Sequence, residues 1–278
     1  MQKYDVIKRS KLTASIYRDG LNKRIRVDDV RGDLTTLLGL LHDECLSSPY
    51  EKLIIKARDS QLLQLLENGY VHEGKIQYYF NGDCTHFMSK YLKDERRASK
   101  FWSKEDAILA SVQKQMVNPH LKAGEHEIHL AGLNDVEGLA HLYKEVFQLY
   151  PVPLHDPAYI RDAMRNGTIF VCITGEEGII SAASAEIDHK NHNAEMTDCA
   201  TLPQHRKGGF MKHLILKLEE ELLERDIYCA YTIARALSYG MNAVFHQLGY
   251  QYRGRLANNC YIHDKMEDMN IWEKNLAQ

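Results

Sequence analysis

A mixed α/β (α+β) fold on a mostly antiparallel central sheet is predicted by three observations on the 278-residue sequence. Residues 168–202 read as a meander of three strands, "TIFVCIT", "IISAASAEID" and "AEMTDCATL", separated by the turns "GEEG" and "HKNHN". This meander runs into a helix in which Phe210, Leu214, Leu218 and Leu222 recur every four residues, with Glu219, Glu220 and Glu224 facing the other way. Short apolar strands and helical runs alternate on either side of that block. The length allows one large domain or two medium ones.

In chain order, Leu34, Leu37, Leu38 and Leu41 mark a helix that Asp33 would cap. "EKLIIKA" reads as a strand, "DSQLLQLLENG" as a helix stopped at Gly69, and "GKIQYYF" as a strand. "SKEDAILASVQKQM" is a connecting helix, and Asn118–Pro119 marks a boundary between an N-terminal αβ region (1–119) and a C-terminal domain (120–278). The second part begins with a strand at Glu127–Leu130, a polar turn at Asn134–Asp135, and a helix with Leu139, Leu142, Tyr143 and Val146 on one face. The Pro-rich "YPVPLHDP" precedes a short helix near Ala158–Met164. After the meander and its helix, "IYCAYTIA" is a buried strand and "SYGMNAVFHQLG" a helix stopped at Gly249; "YQYRGRLANNCYI" is expected to be the final strand.

"LIIKARDSQLLQLLENGY" and "CAYTIARALSYGMNAVFHQLGY" share one succession: strand, Ala-Arg, helix, Gly-Tyr. Either the N-terminal region is a half-repeat that lost its ligand loop, or a common αβ pattern has recurred by coincidence. In the half-repeat reading the corresponding approach, "DDVRGD", is acidic and would repel phosphate.

Net charge is near neutral, 35 basic against 38 acidic residues, which gives no general attraction to nucleic acid or membrane. The N-terminus lacks the apolar core of a signal peptide, and no run approaches the roughly 18 apolar residues of a membrane span. Cys45, Cys84, Cys172, Cys199, Cys229 and Cys260 are scattered without a CxxC, the pattern of reduced thiols in a cytoplasmic protein.

The most informative stretch is "TLPQHRKGGFMKHLI", where Arg206, Lys207, Gly208 and Gly209 stand at the mouth of a helix. A helix N-terminus offers unpaired N–H groups and partial positive charge to a phosphate. Glycines permit close backbone approach, and the two cations add charge-assisted contacts. The absence of GxxxxGK[ST] excludes a P-loop, and no GxGxxG follows a first βαβ strand as a Rossmann turn would need. The plainer reading is a tight strand-to-helix connection with solvated cations.

"LPQHRKGGFM" resembles the pyrophosphate loop of the GCN5-related N-acetyltransferases (GNAT), whose pattern is [RQ]-x-x-G-x-[GA]. Arg206 takes the first place and Gly209 the middle glycine, while Met211 stands where Gly or Ala is usual. The order of elements over about residues 125–265 matches that family too. "LYPVPLHDPAYI" and "AEMTDCATLP" are similar to the beta-lysine N-acetyltransferases within it. The resemblance implies a GNAT fold and acetyl-CoA as co-substrate, with acetyl transfer to the terminal amine of beta-lysine and N6-acetyl-beta-lysine, a compatible solute, as product. The same resemblance places cofactor contacts on Cys199, Ala200, Thr201 and Leu202 of the strand and on Arg206, Lys207, Gly208, Gly209, Phe210, Met211 and Lys212 of the loop and helix, with Ser238 at the cofactor arm.

Acyl transfer to an alkyl amine requires a neutral nucleophile, whereas a lysine-type ammonium has a pKa of about 10.4 in water. The strand before the loop supplies two carboxylates, Glu195 and Asp198, as candidate bases, and period-two alternation would point them to opposite faces. By its spacing before Cys199–Ala200, Glu195 resembles the basic glutamate of the protein-lysine branch of the family. Asp198 is the alternative, as base or as ion partner of a substrate ammonium. Many relatives carry a tyrosine that protonates the departing thiolate, where this chain has Phe245. Unaided departure, His246 or Tyr239 are the options. Tyr150 is a candidate wall for the aliphatic chain and Glu186 a candidate anion for a second amine; a substrate carboxylate would also need a cation, which the sequence does not identify.

Two histidine groups, His126 with His129 in "EHEIH" and the "DHKNH" turn, lack zinc spacing, so no metal is expected. The expected partner is a small-molecule amine, without nucleic acid or membrane. The N-terminal region would either pack on the sheet or mediate a homodimer. Acetylation of another diamino acid, a polyamine or a protein lysine remains open, as does a non-catalytic CoA-binding sensor.

Overall fold

The computed structural model describes residues 2–118, 127–147, 150–176, 178–206, 208–262 and 265–278. Lys207, His126 and the boundary residue Pro119 lie outside the described residues. The N-terminal portion comprises β1 (Gln2–Arg9), β2 (Leu12–Asp19), β3 (Arg24–Gly32), α1 (Leu34–Leu46), β4 (Lys52–Ala57), α2 (Leu62–Glu67), β5 (Val71–Tyr78) and β6 (Gly82–Tyr91). Two linking helices follow, α3 (Asp94–Arg97) and α4 (Trp102–Gln113). The C-terminal portion contains β7 (Ile128–Leu130), α5 (Val136–Val146), α6 (Pro157–Arg165), β8 (Ile169–Gly175), β9 (Gly178–Asp188), β10 (Asn193–Thr201), α7 (Phe210–Leu223), β11 (Cys229–Arg235), α8 (Tyr239–Gln247), β12 (Gln251–Ile262) and β13 (Lys265–Asn275).

The described strands form one continuous sheet in the order β1-β2-β3-β4-β6-β5-β12-β13-β11-β10-β9-β8-β7. Pairings are antiparallel except β3 with β4 and β10 with β11. Each parallel pair encloses a helix, α1 or α7, as a parallel crossover requires. The order β1-β2-β3-β4-β6-β5 therefore has the same pattern as β8-β9-β10-β11-β13-β12, with the two blocks joined between β5 and β12.

At that seam Gly74 pairs with Gly254. A Cβ on Gly254 would lie 2.2 Å from the Glu73 carbonyl oxygen, and Gly254 has φ +146°, so neither space nor backbone admits a side chain. Buried polar contacts reinforce the junction. Lys52 Nζ meets Glu73 at 2.8 Å and donates to the Ala257 carbonyl at 2.8 Å, and Asn193 Nδ2 donates to the Tyr79 carbonyl at 2.7 Å.

Alternation along the strands decides what each face carries. Ala14, Ile16, Ile25 and Val27 pack beneath α1 and α2, so Tyr17 and Arg26 point to the opposite face. Likewise Ala194 and Met196 pack with α7, α8 and Trp272, leaving Glu195 and Thr197 on the other face. There α5 and α6 cover part of the sheet through Leu139, Leu142, Tyr143 and Ile160.

Asp33 caps α1 as expected, accepting from Thr36 N at 3.2 Å. Three expectations need correction. β12 is not the final strand, because β13 inserts between it and β11. Strands β1, β2, β3 and β6 were not foreseen. Glu219, expected to face away from the Phe210–Leu222 stripe, is nevertheless buried, with Lys274 pairing it at 2.6 Å.

Candidate active site

The strand β10 supplies the centre of the site. Its antiparallel pairing with β9 slips between Thr197 and Ala200: three steps on β10 match two on β9, from Thr197↔Ser184 to Ala200↔Ala182. The extra residue is a bulge, with Asp198 in the left-handed region at φ +51°, which Asp tolerates better than most side chains. The bulge resets the alternation. Glu195 and Asp198 consequently line the same pocket, against the expectation of opposite faces.

On its other side β10 leaves β11. The parallel register runs from Asn193↔Cys229 to Glu195↔Tyr231, with no further pairs among the described residues. A V-shaped cleft opens beyond Glu195. Leu202 N–H is committed to the Ile180 carbonyl at 3.0 Å, so that expected cofactor donor is already satisfied by β9. Alternation then turns the main chain of Thr201 into the cleft, where its carbonyl accepts from Arg206 Nε at 3.3 Å. Cys199 and Ala200 sit at the bulge; burial pushes the Cys199 thiol above its ordinary range, which disfavours it as a nucleophile.

Past a short 3-10 turn at Pro203–His205, Gly209 occupies the N-cap of α7 with φ +74°. Among the described residues no side-chain hydrogen bond caps this helix, in contrast to α1, and the positive end of its dipole lies at this turn. Gly208 and Arg206 are exposed beside it, and Phe210 is buried beneath. Met211 packs half-buried against the core, and Lys212 N donates to the Gly209 carbonyl at 3.1 Å. The mouth of α7 has the composition of an anion cradle.

The cleft communicates with a cavity of about 370 Å³ whose walls come from both ends of the chain. Glu186 on β9 stands opposite Glu195 on β10 in register. Tyr231 donates its hydroxyl to Glu195 Oε2 at 3.2 Å. Burial, aggravated by Glu195 and Asp198, pushes the Glu186 carboxyl up to about 8. Burial also raises Asp198, to about 6; hydrogen bonds from Ser184 (2.7 Å), Tyr150 and Thr197 hold it down against that tendency. Tyr150 thus touches a candidate catalytic carboxylate as well as forming wall, stacked on Phe147 at 4.3 Å. Ser238 lines the far side, its carbonyl accepting from Asn242 Nδ2 at 2.7 Å.

Phe245 lines the cavity with its ring edge-on to Tyr250 and offers no proton. The two suggested substitutes are elsewhere. Tyr239 accepts from Gln115 Nε2 and His246 Nε2 lies 3.2 Å from the Gln115 carbonyl, both just beyond α4 and neither on the cavity wall.

The opposite wall was missed by sequence reasoning. Tyr4, Tyr17, Arg26 and Lys56 project into the cavity from β1, β2, β3 and β4. The one signal was a strand-like run, "RIRVDDV", carrying charges at alternate positions where one face must be buried.

Outside this cavity, two groups of three metal-type ligands converge among the described residues: Asp59, Cys84 and His86, and His129, Asp135 and Cys172. In the first, hydrogen bonds already join His86 Nε2 to Asp59 at 2.6 Å and His86 Nδ1 to His72 at 2.9 Å.

The sequence profile of the acetyltransferase (GNAT) family matches residues 136–250, which contain the bulge, the cleft and the glycine loop. N-acetyltransferase YodP of Bacillus subtilis is 38% identical over 273 residues, 97% of this chain and 98% of its own. The chain belongs to the GNAT family. Two further relatives of this GNAT enzyme are named beta-lysine N(6)-acetyltransferase. That of Methanococcus maripaludis is 36% identical over 255 residues, covering 91% of this chain and 93% of its own. That of Methanosarcina mazei is 35% identical over 270 residues, covering 89% and 97%. The enzyme is accordingly an acetyl-CoA-dependent N-acetyltransferase. No helix among its described residues is long and apolar enough to cross a membrane.

Proposed function

We propose that this GNAT enzyme transfers acetyl from acetyl-CoA to the terminal amine of beta-lysine, forming N6-acetyl-beta-lysine. One observation carries the reading: the cavity beside the bulge of β10 is small and faces cationic Arg26 and Lys56 with acidic Glu186, Glu195 and Asp198. A zwitterion with an extra amine matches that distribution of charge. A polyamine has no use for the cations, and a protein lysine, whose carboxyl and second nitrogen are tied up as amides, brings neither a carboxylate nor a second ammonium to match them. The names of two full-length relatives support the same acceptor.

In this reading the α7 N-terminus, with Arg206, Lys207, Gly208 and Gly209, holds the diphosphate of coenzyme A, and Phe210, Met211 and Lys212 form the first turn behind it. The pantetheine arm lies in the cleft between β10 and β11 along Cys199–Leu202, with Ser238 opposite. Cleft N–H groups polarise the thioester carbonyl. Asp198, tied by three hydrogen bonds, keeps its negative charge fixed and draws the ammonium to the bulge. Glu195 accepts one hydrogen bond, from Tyr231, and has lone pairs to spare; it takes the proton from the amine. The neutral amine attacks the thioester carbon, the C–N bond forms, and the tetrahedral intermediate breaks its C–S bond to expel the thiolate as the nitrogen gives up its second proton to solvent. Because Phe245 cannot donate, the thiolate leaves unaided, as its modest pKa allows.

The test is thiol release and mass spectrometry with beta-lysine, lysine, spermidine and a lysine-containing peptide. The highest kcat/KM with beta-lysine and acetyl on its terminal nitrogen is the expected result. Preference for spermidine or the peptide would overturn the acceptor assignment, and acetyl-CoA binding without thiol release from any acceptor would overturn the catalytic one.

A further inference from the structure

The charge on the N-terminal wall of the cavity does not balance. Arg24 is matched, buried against Asp19 at 3.1 Å and donating to Asn259. Arg26 and Lys56, by contrast, share one anion. Asp28 accepts from Arg26 Nε at 2.6 Å and Nη2 at 3.1 Å, and Lys56 Nζ lies 3.1 Å from the same carboxylate. Lys56 spends a second donor on the Tyr79 hydroxyl at 2.8 Å. Two cations against one carboxylate leave the wall with a surplus positive charge. The acidic wall opposite acts on it only across the cavity: among the described residues the direct ion pairs of Arg26 and Lys56 are with Asp28, and Glu186 and Glu195 reach them through space without contact.

The Arg26 guanidinium is held ready for a ligand. Its Nε edge is fixed by Asp28, and its plane lies over the Tyr17 ring at 5.1 Å. Its Nη2 also donates to the Tyr4 hydroxyl at 2.9 Å, so that hydroxyl keeps its own proton to give. Among the described residues no hydrogen bond engages Nη1. A guanidinium N–H and a phenol O–H presented side by side, with surplus positive charge behind them, form a receptor for a carboxylate.

Resting on the reading of the acceptor given above, we propose that Arg26, with the Tyr4 hydroxyl, is the subsite for the carboxylate of the acceptor amino acid. The N-terminal region thereby acts as the selectivity wall of an active site whose chemistry lies in the C-terminal part. The acceptor bridges the cavity, its carboxylate on Arg26, its inner amine facing Glu186, and its terminal amine at Glu195 and the bulge. A diamine lacking the carboxylate leaves the surplus charge unanswered and binds poorly.

Steady-state kinetics on the full-length enzyme decide the matter. Beta-lysine is compared with the diamine that lacks only its carboxylate, in wild type, R26Q and R26K. The expected result is that R26Q raises KM for beta-lysine about tenfold or more, the loss of one charged hydrogen bond, and lowers the kcat/KM ratio of amino acid to diamine by the same factor. R26K, which keeps the charge without the fork, should recover part of that ratio. An equal fall in kcat/KM for both acceptors, or an unchanged KM for beta-lysine, would overturn the assignment. If wild type turns over a different diamino acid, the beta-lysine reading fails, yet the same pairing of that acid with its decarboxylated counterpart still decides Arg26. A wild-type preference for diamines without a carboxylate would sink both.

Discussion

Glu186 and Glu195 face each other across β9 and β10 in register, and desolvation of its carboxyl together with repulsion from Glu195 and Asp198 favours the protonated form of Glu186. Glu186 therefore holds its proton in the folded protein up to a pH of about 8, against about 4.5 in an unfolded chain. A raised folded pKa means stability fully present below about 4.5 and lost as pH climbs through about 8. Ligand-free enzyme is expected to melt at progressively lower temperature between about pH 5 and pH 8 and to level off above that, with E186Q flattening the decline. Scanning calorimetry across the range checks it, and a parallel decline in E186Q would contradict it.

Binding a substrate ammonium beside Glu186 stabilises its charged form. The acceptor should then displace a proton near neutral pH. Titration calorimetry in two buffers of different ionisation enthalpy measures that release, which E186Q abolishes.

Asp198 and Glu195 are expected to fail differently. E195Q should lower kcat by about 10² to 10⁴, the usual worth of a positioned base. D198N preserves the left-handed backbone that Asn also accepts, and should chiefly raise KM for the acceptor. Because Asp198 titrates at about 6, its charge is lost as pH falls through that value. Wild-type KM for the amine should rise below about pH 6, whereas D198N should show a flat, already elevated value.

The α7 mouth can be tested on the cofactor alone. G209A forces a side chain into φ +74°, at a strain of about 1–2 kcal/mol, and R206A removes an exposed cation. Both should raise KM for acetyl-CoA several-fold while leaving KM for the amine within about twofold, as read by initial-rate kinetics with each substrate varied in turn.

At the seam, G254A meets the Glu73 carbonyl as well as an unfavourable φ. A loss of about 2–4 kcal/mol is expected by summing backbone strain with overpacking, measured by urea denaturation. A change under about 0.5 kcal/mol would show that the strands part easily.

The C-terminal part was legible because its signals are local. The meander turns, the four-residue spacing of Phe210, Leu214, Leu218 and Leu222, and the glycine loop each depend on neighbours in sequence. The bulge at Asp198 was not, since a slip in register depends on what β9 offers across the sheet, and period-two counting assumes there is none. Arg26 and Lys56 escaped notice for a related reason. Charges alternating along "RIRVDD" look like a solvent face until another part of the chain roofs them over. Glu219 misled in the same way, its counter-ion Lys274 lying 55 residues on.

The Gly74–Gly254 junction has one more implication. Two side-chainless residues form the spine at which the halves of the sheet meet, and the cavity draws its walls from both leaves. The angle of that spine sets the gap between Arg26 and Glu195. Lys52 with the Ala257 carbonyl, and Arg24 with Asn259, act as clasps across it, so substitutions far from any reacting atom would retune which chain length the enzyme prefers.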